Sequence, residues 1–271
     1  MIKQAIIPMA GQGTRLLPLT SFIPKELLPI NGKPGLEYIL DECIQAGIKE
    51  VIFIISTKKQ IIKKYFYNDL FFKKIIKNKK KDKRLKFEYS KIKKYKKMIK
   101  FVYQNSPRGT GDAVLKCKNL IKSKYFLMLM PDDLIINSNC SSSLIKLHNK
   151  YKSSIIASKK VSKTNVSRWG IFDIKKINKK DFIIKDVIEK PGIKAAPSNY
   201  AVIGRYVLPK TIFRVLKKQK PGRNGEIHIT DAIRSLLNKN NKFIGHIFAG
   251  KYLDCGTMKG YINSTIEISK L

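Results

Sequence analysis

Residues 6–30 read IIPMAGQGTRLLPLTSFIPKELLPI, and the change of character along this stretch decides the fold. It opens as an apolar run, breaks at Gly11 and Gly13, and then sets Arg15, Lys25 and Glu26 within one short span. Residues 5–9 predict a buried strand. The glycine loop therefore follows the carboxyl end of a strand, which is where open α/β sheets bind ligands. Two glycines leave room for backbone to approach such a ligand closely. A plain turn is the competing reading of a Gly-x-Gly after a strand, so the rest of the chain has to choose between them.

Working outward, residues 34–47 (PGLEYILDECIQAG) carry apolar side chains at helical spacing, opened by Pro34 or Gly35 and closed by Gly47. Residues 50–56 (EVIFIIS) form a continuous apolar run of strand length. Strand, helix and strand make a β-α-β unit with parallel strands and a right-handed crossover. A helix is expected over 59–69. Residues 71–100 are lysine-rich without a clear period and read as a solvated helix or surface excursion, less as an interaction tail, with part of it pinned by Leu85, Phe87, Tyr89 and Ile92. Strand character returns at 99–103, followed by a second glycine loop (QNSPRGTG, 104–111) and a helix over 112–121. YFLMLM at 125–130 is a buried strand ending in Pro131-Asp132-Asp133. A helix over 144–151 and a strand from 154 continue the alternation of a doubly wound sheet.

After Val161 the pattern shifts to short strands at 170–174, 182–189 and 200–206, a helix at 210–216, and a helix in 226–237 whose start is marked by Thr230-Asp231 as a plausible cap. Strands at 243–248 and 252–254 and a helix at 258–269 close the chain. The expected fold is α/β, with a mixed, mostly parallel, Rossmann-like central sheet flanked by helices and a smaller β-rich elaboration. Residues 1–271 read as one domain, because no linker or repeat divides them.

Forty-three per cent hydrophobic and 28% charged residues fit a soluble globular chain, and no apolar run approaches a membrane span. No signal peptide is expected, nor a membrane partner. Cys43, Cys117, Cys140 and Cys255 stand far apart, as do the three histidines, which argues for free thiols in a reducing cytoplasm over a zinc site. The net charge of +37 has two readings: a surface that binds nucleic acid or an anionic membrane, or a compositional drift toward Lys, Ile, Asn, Phe and Tyr. Lysines occur along the whole chain, which favours drift. A nucleic-acid partner is therefore not expected.

Three loops now share one property. Those at 10–15, 104–111 and 132–133 each follow an expected strand, so in a parallel sheet they converge on one rim. That rim gathers glycines, the cations Arg15 and Lys25, the amide of Gln104 and the carboxylate of Asp132. Such a set suits a nucleoside triphosphate with Mg²⁺, an ion that takes one or two carboxylates plus phosphate oxygens and water. Phosphoryl-type transfer needs positioning and charge neutralisation more than a protein nucleophile.

The wider sequence resembles the bacterial UTP–glucose-1-phosphate uridylyltransferases, within the sugar-1-phosphate nucleotidyltransferases. The resemblance rests on AGQGTRLLPLT (10–20), IPKELLPI (23–30), QNSPRGTGDAVL (104–115), MPDDLI (130–135), WGIFD (169–173), VIEKP (187–191), PSNYAVIGRYVL (197–208), GEIHITDAI (225–233) and DCGTMKGY (254–261). It implies a nucleotide-binding set of Ala10, Gly11, Gly13, Glu26, Gln104 and Gly109, with Arg15 and Lys25 as phosphate cations and Lys25 the main catalytic one. It implies Mg²⁺ held by Asp132 and Asp254, and glucose 1-phosphate held by Gly170, Glu189 and Lys190. Residues 1–135 would then be mainly the nucleotide half and 136–271 mainly the sugar-phosphate half. A homo-oligomer, dimer or tetramer, is also implied.

Two departures stand out: Ser21 occupies a position where the family usually has Lys, and the chain stops at Leu271 where family members continue. Asp133 is the alternative to Asp132 as metal ligand. A thymidylyltransferase acting on the same sugar phosphate is the alternative within the chemistry. A basic nucleic-acid-binding protein with a degenerate nucleotide site is the alternative outside it.

Overall fold

The computed structural model describes residues 1–271, Arg223 by its backbone alone. The chain runs β1 (Gln4–Pro8), a small hairpin of β2 (Pro29–Ile30) and β3 (Lys33–Pro34), α1 (Gly35–Gln45), β4 (Glu50–Ile55), α2 (Gln60–Tyr67), α3 (Leu70–Asn78), α4 (Lys83–Met98) and β5 (Ile99–Tyr103). It continues through α5 (Thr110–Leu115), β6 (Tyr125–Leu129), β7 (Asp133–Ile136), α6 (Cys140–Tyr151), β8 (Ser154–Lys160), β9 (Gly170–Lys176), β10 (Asp181–Glu189) and β11 (Tyr200–Pro209). It ends with α7 (Ile212–Lys218), α8 (Ile229–Leu237), β12 (Phe243–Ile247), β13 (Lys251–Asp254) and α9 (Met258–Ser269).

Nine strands form one sheet in the order β5-β4-β1-β6-β11-β8-β12-β10-β9. The first four are mutually parallel, as the β-α-β reading of the N-terminal half requires. β11 then enters antiparallel between β6 and β8, and β9 and β10 form an antiparallel hairpin at the far edge. The strands of the second half thus extend the same sheet. Strand order reverses direction at β1: the chain builds outward to β4 and β5, then returns to place β6 on the other side of β1. The crevice at such a switch point lies between the loops that leave β1 and β6.

Both faces of the sheet are covered, which is why its central strands are apolar without alternation. Ile7, Val51, Phe53 and Ile55 face the cluster packed by α1, α4 and α6; Ile6, Ile52 and Ile54 face the one packed by α5, α7 and α8. All four cysteines are free and buried within these layers.

The structure redraws several element limits. α6 begins at Cys140, four residues before the expected start, because the Asn139 side chain accepts from the Ser142 amide as an N-cap. α5 begins at Thr110 and ends at Leu115, with turns carrying the chain on to β6. The lysine-rich excursion is two helices, α3 and α4, the second capped by Asp82, whose carboxylate accepts from the Leu85 amide. Ile92 is buried there and Leu85 and Tyr89 half-buried, but Phe87 is 61% exposed and pins nothing. Thr230 is not a cap: His228 precedes α8, and the Thr230 hydroxyl is engaged elsewhere.

Candidate active site

Two adjoining clefts open on the switch-point rim. The first has a cavity volume of about 150 Å³ and is lined from the β1 loop by Ala10 and Gly11, from the next turn by Lys25 and Glu26, and from the β5 loop by Gln104 and Gly109. The second has a cavity volume of about 210 Å³, with Gly170, Glu189, Lys190 and Thr230 in its wall. Thr110 and Met130 line both, so a single thin partition separates the two spaces. The two residue sets expected from sequence therefore sort into two neighbouring clefts, with one exception. Gly13 lies outside the first wall; at φ 72° it opens the short turn Thr14–Leu16, and its carbonyl accepts from the Thr20 hydroxyl at 2.8 Å.

The cations and carboxylates meet at the seam. Lys25 Nζ donates to Asp132 Oδ2 at 2.6 Å, and Arg15 Nη2 lies 3.6 Å from the same oxygen. Burial pushes the Lys25 ammonium down, but Asp132 and Glu26 push it up by more, so its pKa stands above the ordinary lysine value. Burial raises Asp132, while Lys25 and Arg15 outweigh that and hold its carboxyl below the usual range. Lys25 and Asp132 are consequently both charged at neutral pH. Arg15 is largely exposed and reaches over the rim.

Asp254 sits at the end of β13. One oxygen accepts from the Gly256 amide at 2.9 Å, and the other from Arg168 Nη2 at 2.8 Å. Its relation to Asp132 is set by Gly256. A side-chain carbon placed on Gly256 would lie 2.7 Å from Asp132 Oδ2, 2.9 Å from Arg15 Nη2 and 3.2 Å from Asp254 Oδ1. Glycine keeps that point open, and both carboxylates border it. No group of three or more His, Cys, Asp or Glu side chains placed to hold a metal ion occurs among the described residues, and this corner offers two carboxylates.

Asp133, the alternative ligand, is otherwise occupied. Tyr252 donates to its Oδ1 at 2.7 Å and the Gly204 amide to its Oδ2 at 2.8 Å. Burial, and then the charge of Asp132, push its carboxyl up to about 6. The folded chain therefore holds this proton to a higher pH than an unfolded chain does. This group favours folding progressively as pH falls from about 7 to about 5. In metal-free protein, the urea midpoint of the wild type should rise relative to an Asp133→Asn variant across that window. A gap between the two that stays constant would contradict the assignment.

Several supporting contacts gave no warning in the sequence. Lys59 is buried; its ammonium donates to both oxygens of Glu26 at 2.9 Å and to the Met9 carbonyl at 2.8 Å. It locks Glu26 against the start of the glycine loop. Thr230 donates to Glu189 Oε2 at 2.8 Å, fixing the carboxylate that faces the second cleft. Gln104 donates to Asp112 at 2.7 Å, so its amide orientation is set from within α5. Arg205, fully buried, donates to both oxygens of Glu42 and to the carbonyls of Met130 and Asp133 at 3.2 and 2.7 Å. These last contacts bracket Asp132 from either side.

Residues 4–270 match the nucleotidyl transferase family, and the chain belongs to it. Among its relatives, the UTP–glucose-1-phosphate uridylyltransferase of Bacillus subtilis is 35% identical over 99% of this chain and 91% of its own length. The Mycoplasma pneumoniae protein of the same name is 34% identical over 98% of this chain and 91% of its own. Among solved structures, apo UDP-glucose pyrophosphorylase superposes with a TM-score of 0.90 at 36% identity, covering 100% of this chain and 99% of the other. A UDP-glucose pyrophosphorylase complexed with UDP-glucose superposes at 0.88 with 35% identity over the same shares.

Proposed function

We propose that this chain transfers the uridylyl group of UTP to α-D-glucose 1-phosphate, giving UDP-glucose and pyrophosphate, with Mg²⁺ as its divalent ion. The observation that carries the reading is the pair of clefts sharing the Thr110–Met130 partition, with the Lys25–Asp132 pair at their seam. The full-length likeness to uridylyltransferases and to a UDP-glucose-bound structure supports the choice of substrates.

In this reading the uridine lies in the first cleft, against the backbone of Ala10, Gly11 and Gly109 and beside Glu26 and Gln104. The sugar phosphate lies in the second, with Glu189 accepting from sugar hydroxyls, the Gly170 backbone beneath the ring and Lys190 paired with the phosphate. A phosphate oxygen of the sugar phosphate attacks the α-phosphorus of UTP. The new P–O bond forms as the bond to the bridging oxygen of the β-phosphate breaks, and pyrophosphate leaves with that electron pair. Lys25 and Arg15 hold the phosphates of two mutually repelling anions close enough to react. The pairing of Lys25 with Asp132 supports giving Lys25 the main catalytic role. Asp132 and Asp254 border an open point and would hold Mg²⁺, which supplies charge neutralisation on phosphate oxygens when bound. Two carboxylates are a fitting protein share for this ion.

This reading divides the labour mainly between residues 1–135 and 136–271, with Thr110, Met130, Asp133 and Glu226 crossing that division in the cleft walls. It also carries a cytoplasmic location, in keeping with four unpaired thiols, and a homo-oligomer whose subunit number light scattering would give. The decisive experiment incubates purified protein with glucose 1-phosphate, Mg²⁺ and either UTP or dTTP and follows pyrophosphate. Release with UTP, abolished by excess chelator and restored by Mg²⁺, is the expected outcome. No release with either nucleotide would remove the enzyme reading, and a preference for dTTP would move the chain to the thymidylyl alternative. Turnover that survives excess chelator would remove the role given to Asp132 and Asp254.

A further inference from the structure

The most uneven feature outside the clefts is the α3–α4 hairpin. Residues 70–98 hold 13 lysines, one arginine, one aspartate and one glutamate, a net +12 of the chain's +37 in 29 of 271 residues. A compositional drift alone would spread lysine evenly over the exposed surface, and this segment departs from that. On α4, Lys83, Lys86, Lys93, Lys94 and Lys97 are all exposed, while Ile92, Tyr95 and Met98 are buried. Their spacing follows the helical repeat, so the lysines form a stripe along the outer face about 20 Å long. α3 (LFFKKIIKN) is apolar at five of nine positions, yet none of its residues is buried. Leu70 and Phe71, adjacent in the chain, are each 72% exposed.

We propose that this hairpin docks on an anionic lipid surface, with Leu70 and Phe71 entering the headgroup layer and the α4 lysine stripe pairing with lipid phosphates. A short helix that exposes a leucine and a phenylalanine among lysines carries the combination of apolar and cationic side chains that lies in such an interface. The charge complementarity is with a surface carrying many phosphates at close spacing. Single-stranded nucleic acid is the other polyanion of that kind. Leu70 has no π-face on which a base could stack, and one arginine against 13 lysines is a poor set for planar phosphate or base recognition. The docking is peripheral, since no helix among the described residues is long and apolar enough to cross a membrane. It revises the expectation of no membrane partner. It stands apart from the proposed reaction, because none of these side chains lines either cleft.

The test is cosedimentation of the full chain with vesicles of phosphatidylcholine alone or mixed with phosphatidylglycerol. Binding to the mixed vesicles only, weakening as salt rises, is expected. Lys86→Glu, Lys93→Glu and Lys97→Glu together should lower partitioning about tenfold or more. Leu70→Ser with Phe71→Ser should lower it about tenfold through lost apolar burial. Lys175→Glu, Lys176→Glu and Lys179→Glu make the same change of charge on exposed lysines of the β9–β10 hairpin and should stay within about twofold of wild type. All variants should keep the wild-type circular dichroism. Equal losses in the two lysine triples would reduce the effect to net charge and overturn the proposal, as would undiminished binding by the Leu70/Phe71 variant. Displacement from mixed vesicles by single-stranded RNA at matched phosphate concentration would make the surface a nucleic-acid site instead.

Discussion

Lys25→Ala should lower kcat for pyrophosphate formation by about a thousandfold, equivalent to roughly 4 kcal/mol of transition-state stabilisation. Two facts make the effect large. The ammonium is one of the few charges at the seam that is both buried and positioned, since Asp132 fixes it at 2.6 Å. Its raised pKa keeps it cationic throughout the neutral range. A mobile surface lysine among so many others would give no comparable loss. The fold should survive, because the carboxylate left behind keeps Arg15 within reach and retains some access to water. Circular dichroism and the urea midpoint would confirm this, so the rate loss can be read as chemistry. A variant within tenfold of wild type would transfer the main catalytic role to another cation, with Arg15 the first candidate.

The largest effect on stability should come from Glu42→Ala, at about 3–5 kcal/mol and a fall in Tm of roughly 10 °C. Glu42 on α1 accepts from Arg205 Nε and Nη2 and also from the amide and hydroxyl of Ser141 at the start of α6. Arg205 is fully buried, so removing Glu42 strands a guanidinium with only carbonyl partners inside the core. Burying an unpaired charge is among the most costly single changes available to a folded chain. Activity should suffer below the melting range as well, since Arg205 also holds Met130 and Asp133 around Asp132. Glu42→Gln, which keeps an acceptor, should recover part of both losses. A Glu42→Ala midpoint within about 1 kcal/mol of wild type would show that the pair is structurally dispensable.

How much of this could be read from the chain follows from the range of the forces involved. The central strands were legible because burial on both faces leaves uninterrupted apolar runs, as in residues 50–56 and 125–130. The glycine loops were legible because backbone freedom has a residue-specific signature. The start of α6 was not, because NSNCSSS reads as loop: serine and asparagine compete with helical hydrogen bonding except at a cap, and Asn139 is that cap. Thr230 in the first turn of α8 looks like a cap for the same reason, and only tertiary structure shows its hydroxyl turned to Glu189. The site's supports are long-range by nature. Glu42 and Arg205 stand 163 positions apart, and Lys59 reaches Glu26 from within a lysine-rich stretch where nothing local singles it out. Gly256 was quoted within a family block, but its purpose depends on the convergence of Asp132, Arg15 and Asp254 around it.

The buried cysteines give the molecule a set of native clocks. Cys43, Cys140 and Cys255 belong to the packing on one side of the sheet, and Cys117 to the other. Burial pushes every one of these thiols up, so an alkylating reagent finds almost no thiolate in the closed state. Each sulfur becomes reactive only when its own neighbourhood opens. Mass-spectrometric labelling of the unaltered protein therefore times four separate openings in one sample. The rate at Cys255 reports breathing next to Asp254, and its slowing on addition of nucleotide and metal would measure how firmly the substrates close that corner.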